Sequence, residues 1–400
     1  MALIRPSVRA LPRRCLIIHR NSTTPKDKKK GPLTGITVVS LEQAISAPFC
    51  TRQLADLGAR VIKIERPKVG DFARNYDTRV NGLSSHFVWT NRSKESLALN
   101  VKNPRHHRIL MRLLSRADIL VQNLAPGASA RLGLSFADLS EKHPYLIVCN
   151  ISGYGPDGPY RDKKAYDLLI QSEAGLLSVT GTGTERRKSA SRLRTSARRE
   201  KDPERHGRNI DISMLESMVE WMGFPMYYTY GGQPGPIPAG ASHAAIYPYG
   251  PFETGKGTVM LGIQNEREWA KFCEMVLEKP EMAMDERFSN NSLRVKNRAE
   301  LRETICNVFT SYSTEGILRR LDEAVIANAS VNDMQGVWNH PQLRARQRWT
   351  QVQTSAGTVP ALFPPGMGPD GFEAQMGAVP EVGQHNEAIL AELGMDMDLD

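Results

Sequence analysis

Four hundred residues with 40% apolar content can bury a sizeable core, and the length fits two domains better than one. No run of 18 apolar residues is present, so no membrane-spanning helix is expected, and five scattered cysteines without a CxxC pair argue against a disulfide framework and against a zinc site. The net charge of +9 is concentrated in residues 1–30, with nine Lys/Arg against one Asp, and in residues 185–208, with ten against four acids; the mildly acidic remainder does not resemble a nucleic-acid-binding face.

Residues 1–31 read as a mitochondrial transit peptide, or else a disordered basic tail. Arg5, Arg9, Arg13, Arg14 and Arg20 are spread among apolar and hydroxyl residues, with no acid before Asp27. Folded structure is expected from Pro32. Ile36–Leu41 reads as a buried parallel strand, the segment after Pro48 as a helix ending at Gly58, and Arg60–Glu65 as a second strand, which together make a right-handed β-α-β unit. The pattern continues with a helix over Asn103–Arg116, a strand over Asp118–Gln122, a helix over Phe136–Lys142 and a strand over Tyr145–Asn150. An open α/β sheet holds its ligand beyond the carboxyl ends of its strands, here Glu42–Pro48, Arg66–Arg74, Asn123–Arg131 and Ile151–Tyr160.

Further along, Ile210–Gly223 has apolar residues at helical spacing, and Phe224–Gly250 is a Gly/Pro/Tyr-rich connection of the kind that crosses between domains or covers a site. A strand over Gly257–Ile263 and helices over Glu266–Leu277, Arg298–Phe309 and Thr314–Ile326 suggest a smaller domain. The tail contributes a strand-like stretch at 358–363 and a helix over Glu387–Leu393.

The chain has no GxGxxG after a strand, Walker loop, HExxH or GxSxG. What the strand-end loops offer is dispersed positive charge: Lys63, Arg66, Lys68 and Arg74, then Arg131, then Lys163 and Lys164. Guanidinium groups pair phosphates bidentately, so a ligand with several phosphates on a long body would suit them; taken singly, each reads more readily as a solvated loop charge. Asp167, directly before LLIQSEAGLL, reads as a helix cap more than as an acid-base group, and His243 as a hydrogen-bonded loop or core histidine more than as a base.

Several blocks in fixed order resemble class III CoA-transferases, the CaiB/BaiF family. They are LEQAISAPFCTRQLADLGARVIKIERPKVGDFAR, FVWTNRSKESLALNVK, LVQNLAPGASARLGL, ISGYGPDGPY, NIDISMLESMVEWM, SHAAIYPYGPF and RVKNRAEL. The resemblance runs from about Pro32 to Gln384 and implies an α/β fold, with a Rossmann-like large domain on a parallel sheet (residues 32–223 and 331–395), a smaller α/β domain (240–330), and a homodimer of interlocked subunits. It implies coenzyme A and acyl-CoA thioesters as substrates together with a small carboxylic acid, and no metal, membrane or nucleic-acid partner. Carried over from the formyl-CoA transferase type, the CoA contacts fall on Ala44, Ser46, Arg66, Leu99, Asn123, Ala128, Arg131 and Leu132, while Lys164 and Tyr166 line the active site. The racemase branch of the family has its catalytic His at the place of Tyr166, so Tyr166 favours transfer over racemisation.

The family works by covalent catalysis on one Asp, which accepts the acyl group as a mixed anhydride and then holds CoA as an aspartyl thioester. That Asp lies in a motif like G-V-S-x-x-D-I-x-x-G, between SVTG and NIDIS. Here the motif is absent and the Arg/Ser-rich run stands in its place; Asp202, the only aspartate there, sits in KDPER, and the catalytic residue is unknown. One codon choice for Lys188–Ala197, AAG TCG GCG TCT CGG TTG CGG ACA TCG GC, gives VGVSVADI when read out of phase. This predicts a shifted reading frame, with the missing Asp straddling the codons of Arg194 and Thr195. The rival expectations are a racemase-type enzyme and a CoA-binding pseudoenzyme stripped of its Asp.

Overall fold

The computed structural model describes residues 31–181, 206–367 and 373–396; the basic leader, Asp202 and most of the Arg/Ser run lie outside the described residues. Six strands, β1 (Thr37–Leu41), β2 (Arg60–Glu65), β3 (Lys94–Ala98), β4 (Ile119–Gln122), β5 (Ile147–Ser152) and β6 (Asn209–Ser213), form one parallel sheet in the order β3-β2-β1-β4-β5-β6. The expected α/β class is what the chain adopts, and the order reverses between β1 and β4.

Strand alternation sends side chains to two apolar layers. Val39, Leu41, Ile62 and Ile64 join one layer with Ile109, Leu110 and Leu113 of the helix Pro104–Leu114 and with Ile389, Leu390 and Leu393 of the helix Asn386–Leu393. Val38, Val61 and Val121 join the other with Cys50, Leu54 and Ala55 of the helix Ser46–Asp56. Each fully buried Leu or Ile contributes about 1.5–3 kcal/mol. The helix Pro104–Leu114 starts where its sequence dictates: Asn103 accepts hydrogen bonds from the N–H groups of Arg105 and His106, and Pro104 occupies the first turn.

Strands β7 (Tyr249–Thr254), β8 (Gly257–Gly262) and β9 (Ala327–Ser330) form a second, antiparallel sheet. It shares a separate apolar cluster with the helices Glu266–Lys271, Arg298–Phe309 and Thr314–Glu323, centred on Trp269, Phe272, Phe309 and Leu321. A hairpin of β10 (Trp349–Thr354) and β11 (Gly357–Leu362) follows.

The structure corrects two readings. Ile210–Gly223 is not one helix: Asn209–Ser213 is the edge strand β6, and the Ser213 hydroxyl caps a helix over Met214–Trp221 by accepting from the Glu216 N–H. Ile210 and Ile212 pack inward while Asn209 and Asp211 do not, a period of two that ends where the cap begins. Lys94–Ala98 is a strand that apolar patterning does not signal, because Lys94 and Ser96 are buried by polar contacts instead.

Candidate active site

Because the strands are parallel, the loops after β1 to β5 all leave from one edge of the sheet. At the reversal between β1 and β4, the Asn123 side chain ties the two loops together: its Oδ1 accepts from the Gln43 N–H at 2.9 Å and its Nδ2 donates to the Gln43 carbonyl at 2.9 Å and to the Ser46 hydroxyl at 3.4 Å. Next to this clamp Ala44 has φ +64°, a left-handed backbone that a residue with a Cβ adopts at a cost. Its N–H donates to Asp71 Oδ1 at 3.1 Å, which holds it there. Ala44, Ser46 and Asn123 are therefore brought together at the switch point, where doubly wound sheets bind ligands.

The other expected contacts surround this point with less mutual bonding. Arg66 is exposed directly after β2, with its Nε donating to the Gly70 carbonyl. Leu99, directly after β3, is 1% exposed and belongs to the core, with its N–H on the Glu65 carbonyl. After β4, Gly127 at φ +68° precedes the short helix Ala128–Arg131; Arg131 is exposed and folds its guanidinium back onto the Pro126 carbonyl, and Leu132 packs against the core while its carbonyl meets His107 Nε2 at 2.8 Å. Lys164 and Tyr166 are exposed in the loop after β5. Burial pushes the Tyr76 hydroxyl above its usual range, and Asp71, Tyr166 and Asp167 add to the effect, so the loops after β2 and β5 approach each other here.

Asp167 does not cap its helix. Tyr166 takes the cap position, and Asp167 is the first residue of Asp167–Glu173, where its charge still opposes the positive end of the helix dipole. His243 is a hydrogen-bonded loop residue, as expected: its Nδ1 accepts from the Ala245 N–H, and its ring stacks on Tyr249.

Three of the loop cations are not available to a ligand. Lys63 is fully buried beneath the Gln43–Ala44 loop, 2.7 Å from Asp71, 3.4 Å from Glu42 and 3.1 Å from Asn91 Oδ1. Arg74 grips both oxygens of Glu65 at 3.0 and 2.7 Å and lies over the Phe87 ring. Lys163 pairs with Glu173 and sits over Tyr160. Arg66, Lys68, Arg131 and Lys164 remain as exposed cations along this edge.

The buried pairs form one network. Lys94 donates to Glu42 at 2.7 Å, to the Pro48 carbonyl and to Asn91; Thr51 donates to Glu42; the Asp71 N–H and the Ser96 hydroxyl meet the two Glu65 oxygens. Burial alone raises a carboxyl, but Lys94 and Lys63 outweigh it and hold Glu42 below its usual range, as Arg74 and Lys63 do for Glu65. Burial lowers the Lys94 ammonium to about 8 in spite of Glu42. Both glutamates thus bind fewer protons in the folded chain than in the unfolded one near their ordinary value of 4.5, so their stabilisation is complete above that value and is lost as pH falls through their lower folded values. The expected result is a urea midpoint that falls on acidification below about pH 4.5, more gently in Glu42→Gln; a midpoint with the same pH slope in both proteins would contradict it.

Sequence reasoning missed Gln43 as the clamped residue and Asp71 as the group that joins Lys63 to the Ala44 and Ala73 N–H groups. Asp71 had a signal, an Asp directly before FAR, and it caps that turn. A cavity of about 520 Å³ lies at the opposite, amino-terminal edge of β1 to β3; Arg60, on its wall, is paired with Glu95 and Glu392.

A doubly wound parallel sheet with a clamped, left-handed loop at its switch point and exposed cations along the same edge defines an α/β protein organised to hold an anionic ligand. The model of CoA-transferase family III matches residues 33–386, and the chain belongs to that family. It is 30% identical over 379 residues to succinyl-CoA:glutarate CoA-transferase of Homo sapiens, covering 90% of this chain and 86% of that one. It is 28% identical over 399 residues to succinate–glutarate CoA-transferase of Agrobacterium fabrum, covering 92% and 98%. Among solved structures, a CaiB/BaiF family protein from Brucella suis superposes with a TM-score of 0.77 at 27% identity, covering 91% of this chain and all of that one. The chain is accordingly a CoA-transferase by family, with CoA thioesters as its substrates.

Proposed function

We propose that this enzyme moves CoA from a donor such as succinyl-CoA to a small carboxylic or dicarboxylic acid through an aspartyl-CoA thioester. The observation that carries this is the switch-point site, in a chain whose relatives at 28–30% identity over nine-tenths of its length are named for succinyl-CoA or succinate and for glutarate. In this reading the clamped Gln43–Ser46 loop and Ala128–Leu132 receive CoA, with the buried Leu99 supporting them from the core, Arg66 and Arg131 meet its phosphates, and Lys164 and Tyr166 border the acyl group. The aspartate carboxylate attacks the donor thioester and expels CoA thiolate. The thiolate then attacks the mixed anhydride, releasing the donor acid and leaving CoA on the aspartate; the acceptor carboxylate repeats the exchange in reverse.

The aspartate itself is supplied by the shifted frame across Lys188–Ala197. An uninterrupted frame through that segment in mature mRNA would sink this part of the reading. A two-domain division at 32–223 with 331–395 and 240–330 fits the separate cores, and the exposed row Trp221, Phe224, Met226, Tyr227, Tyr230 and Ile237 suits a homodimer interface. The leader gives a mitochondrial matrix address, checked by import and trimming in isolated mitochondria.

The test is incubation of the frame-restored chain, sized by chromatography, with succinyl-CoA and a panel of acids, and hydroxylamine trapping of the enzyme thioester. The expected result is transfer plus a trapped adduct in the restored chain and neither in the chain with the Arg/Ser run. CoA binding without transfer in both would assign the pseudoenzyme instead.

A further inference from the structure

The Gly/Pro/Tyr-rich connection encloses a second cleft of about 350 Å³, well away from the clamped loop in sequence, between Ala239–Ser242, Tyr247 and the helix Arg298–Phe309. Two guanidiniums one turn apart on that helix line it. Arg298 donates to the His243 carbonyl at 2.8 Å and lies over the Tyr247 ring; Arg302 donates to the Pro251 carbonyl at 2.9 Å and lies over the Phe252 ring. Arg298 spends one N–H-bearing nitrogen on a carbonyl, while Arg302 spends one on a carbonyl and a second on Glu253 at 3.4 Å; both keep further N–H groups.

Like charges at i and i+4 weakly oppose helix formation, and an anion held between the two guanidiniums would relieve that repulsion. Glu253, 3.4 Å from Arg302, is an exposed residue on the rim, and among the described residues no carboxylate pairs with Arg298. The Tyr247 side chain is 3% exposed, and its hydroxyl lies within reach of Arg302, with no hydrogen bond of good geometry closed on it among the described residues. A buried hydroxyl placed beside a guanidinium can complete the hydrogen bonding of a ligand held there. Ala239, Ala241 and Ala299 on the walls leave room for a small molecule. The rim also reaches the end of SVTG: the Gly240 N–H donates to the Gly181 carbonyl at 2.6 Å.

We propose that this cleft binds a carboxylate of a small dicarboxylic acid, with Arg298 and Arg302 donating to its oxygens and the Tyr247 hydroxyl completing the set, and that it thereby selects the acid substrate. The link to the acid substrate rests on the transferase reading; binding of the carboxylate does not.

The test is calorimetric titration of the full chain with glutarate, butyrate and inorganic phosphate, in the absence of CoA. Glutarate is expected to bind saturably and more tightly than butyrate, with its Kd raised about tenfold or more in Arg302→Gln and to a lesser degree in Tyr247→Phe. In the parent chain, which needs no substitution, glutarate is expected to slow phenylglyoxal modification of Arg298 and Arg302 as read by mass spectrometry. Unchanged glutarate affinity in both variants, equal displacement by phosphate, or no protection of either arginine would overturn the proposal. A negative result here leaves CoA transfer standing, and absence of a trapped thioester leaves the binding result intact.

Discussion

Lys63→Ala is expected to lower the unfolding free energy by about 3–5 kcal/mol, the effect of removing one partner from a buried ion pair. Lys63 is 0% exposed, and the carboxylates of Asp71 and Glu42 lie around its ammonium. Without it, Asp71 keeps the N–H groups of Ala44 and Ala73 but loses its charged partner inside the sheet's covering layer, while Glu42 retains Lys94 and Thr51. Asp71 therefore bears most of the loss. The measurement is a urea denaturation curve, in which the midpoint falls while the slope is kept. Lys163→Ala, at an exposed pair on the same edge, is expected to leave the midpoint where it was. A Lys63→Ala midpoint equal to that of Lys163→Ala would refute the account of the network.

Asn123→Ala is expected to weaken CoA binding about tenfold and to lower the unfolding free energy by about 1–3 kcal/mol. The side chain closes two hydrogen bonds on the Gln43 backbone, and each is worth about 0.5–1.5 kcal/mol. Released, the loop carrying Ala44 and Ser46 must be ordered by the ligand instead, which reduces affinity. Asn123→Asp separates the clamp from simple loss of volume. It keeps the acceptor for the Gln43 N–H but sets a carboxylate against the Gln43 carbonyl, so it should bind CoA no better than Asn123→Ala. Calorimetric titration with CoA reads both; parent-like affinity in Asn123→Asp would show that the clamp is not what positions the loop.

Where burial in this protein is apolar, the sequence was readable. Arg60–Glu65 and Arg298–Phe309 have the expected bounds, and the parallel α/β sheet followed from strands alternating with helices. Where burial is ionic, it was not. Lys63 and Arg74 read as ligand cations because nothing local shows which carboxylate lies across the fold, and Lys94–Ala98 read as no element at all for the same reason. One signal was present: in RVIKIE, Lys63 shares a face with Val61, so a strand buried on both faces had to supply it with a buried counter-charge. The candidate site divides in the same way. Family resemblance pointed to Ala44, Ser46 and Asn123, but their mutual bonding depends on contacts some 80 residues apart in the chain, which no local pattern encodes.

The strand order also bears on how the chain comes into being. Five of the six sheet strands lie between Thr37 and Ser152, and the sixth, β6, pairs with β5 alone. As the polypeptide leaves the ribosome, the switch point and its clamp can assemble before the residues that follow Gly181 have been made. The strand that follows the Arg/Ser run, β6, thus adds only an outer edge to a sheet whose other five strands precede it in the chain.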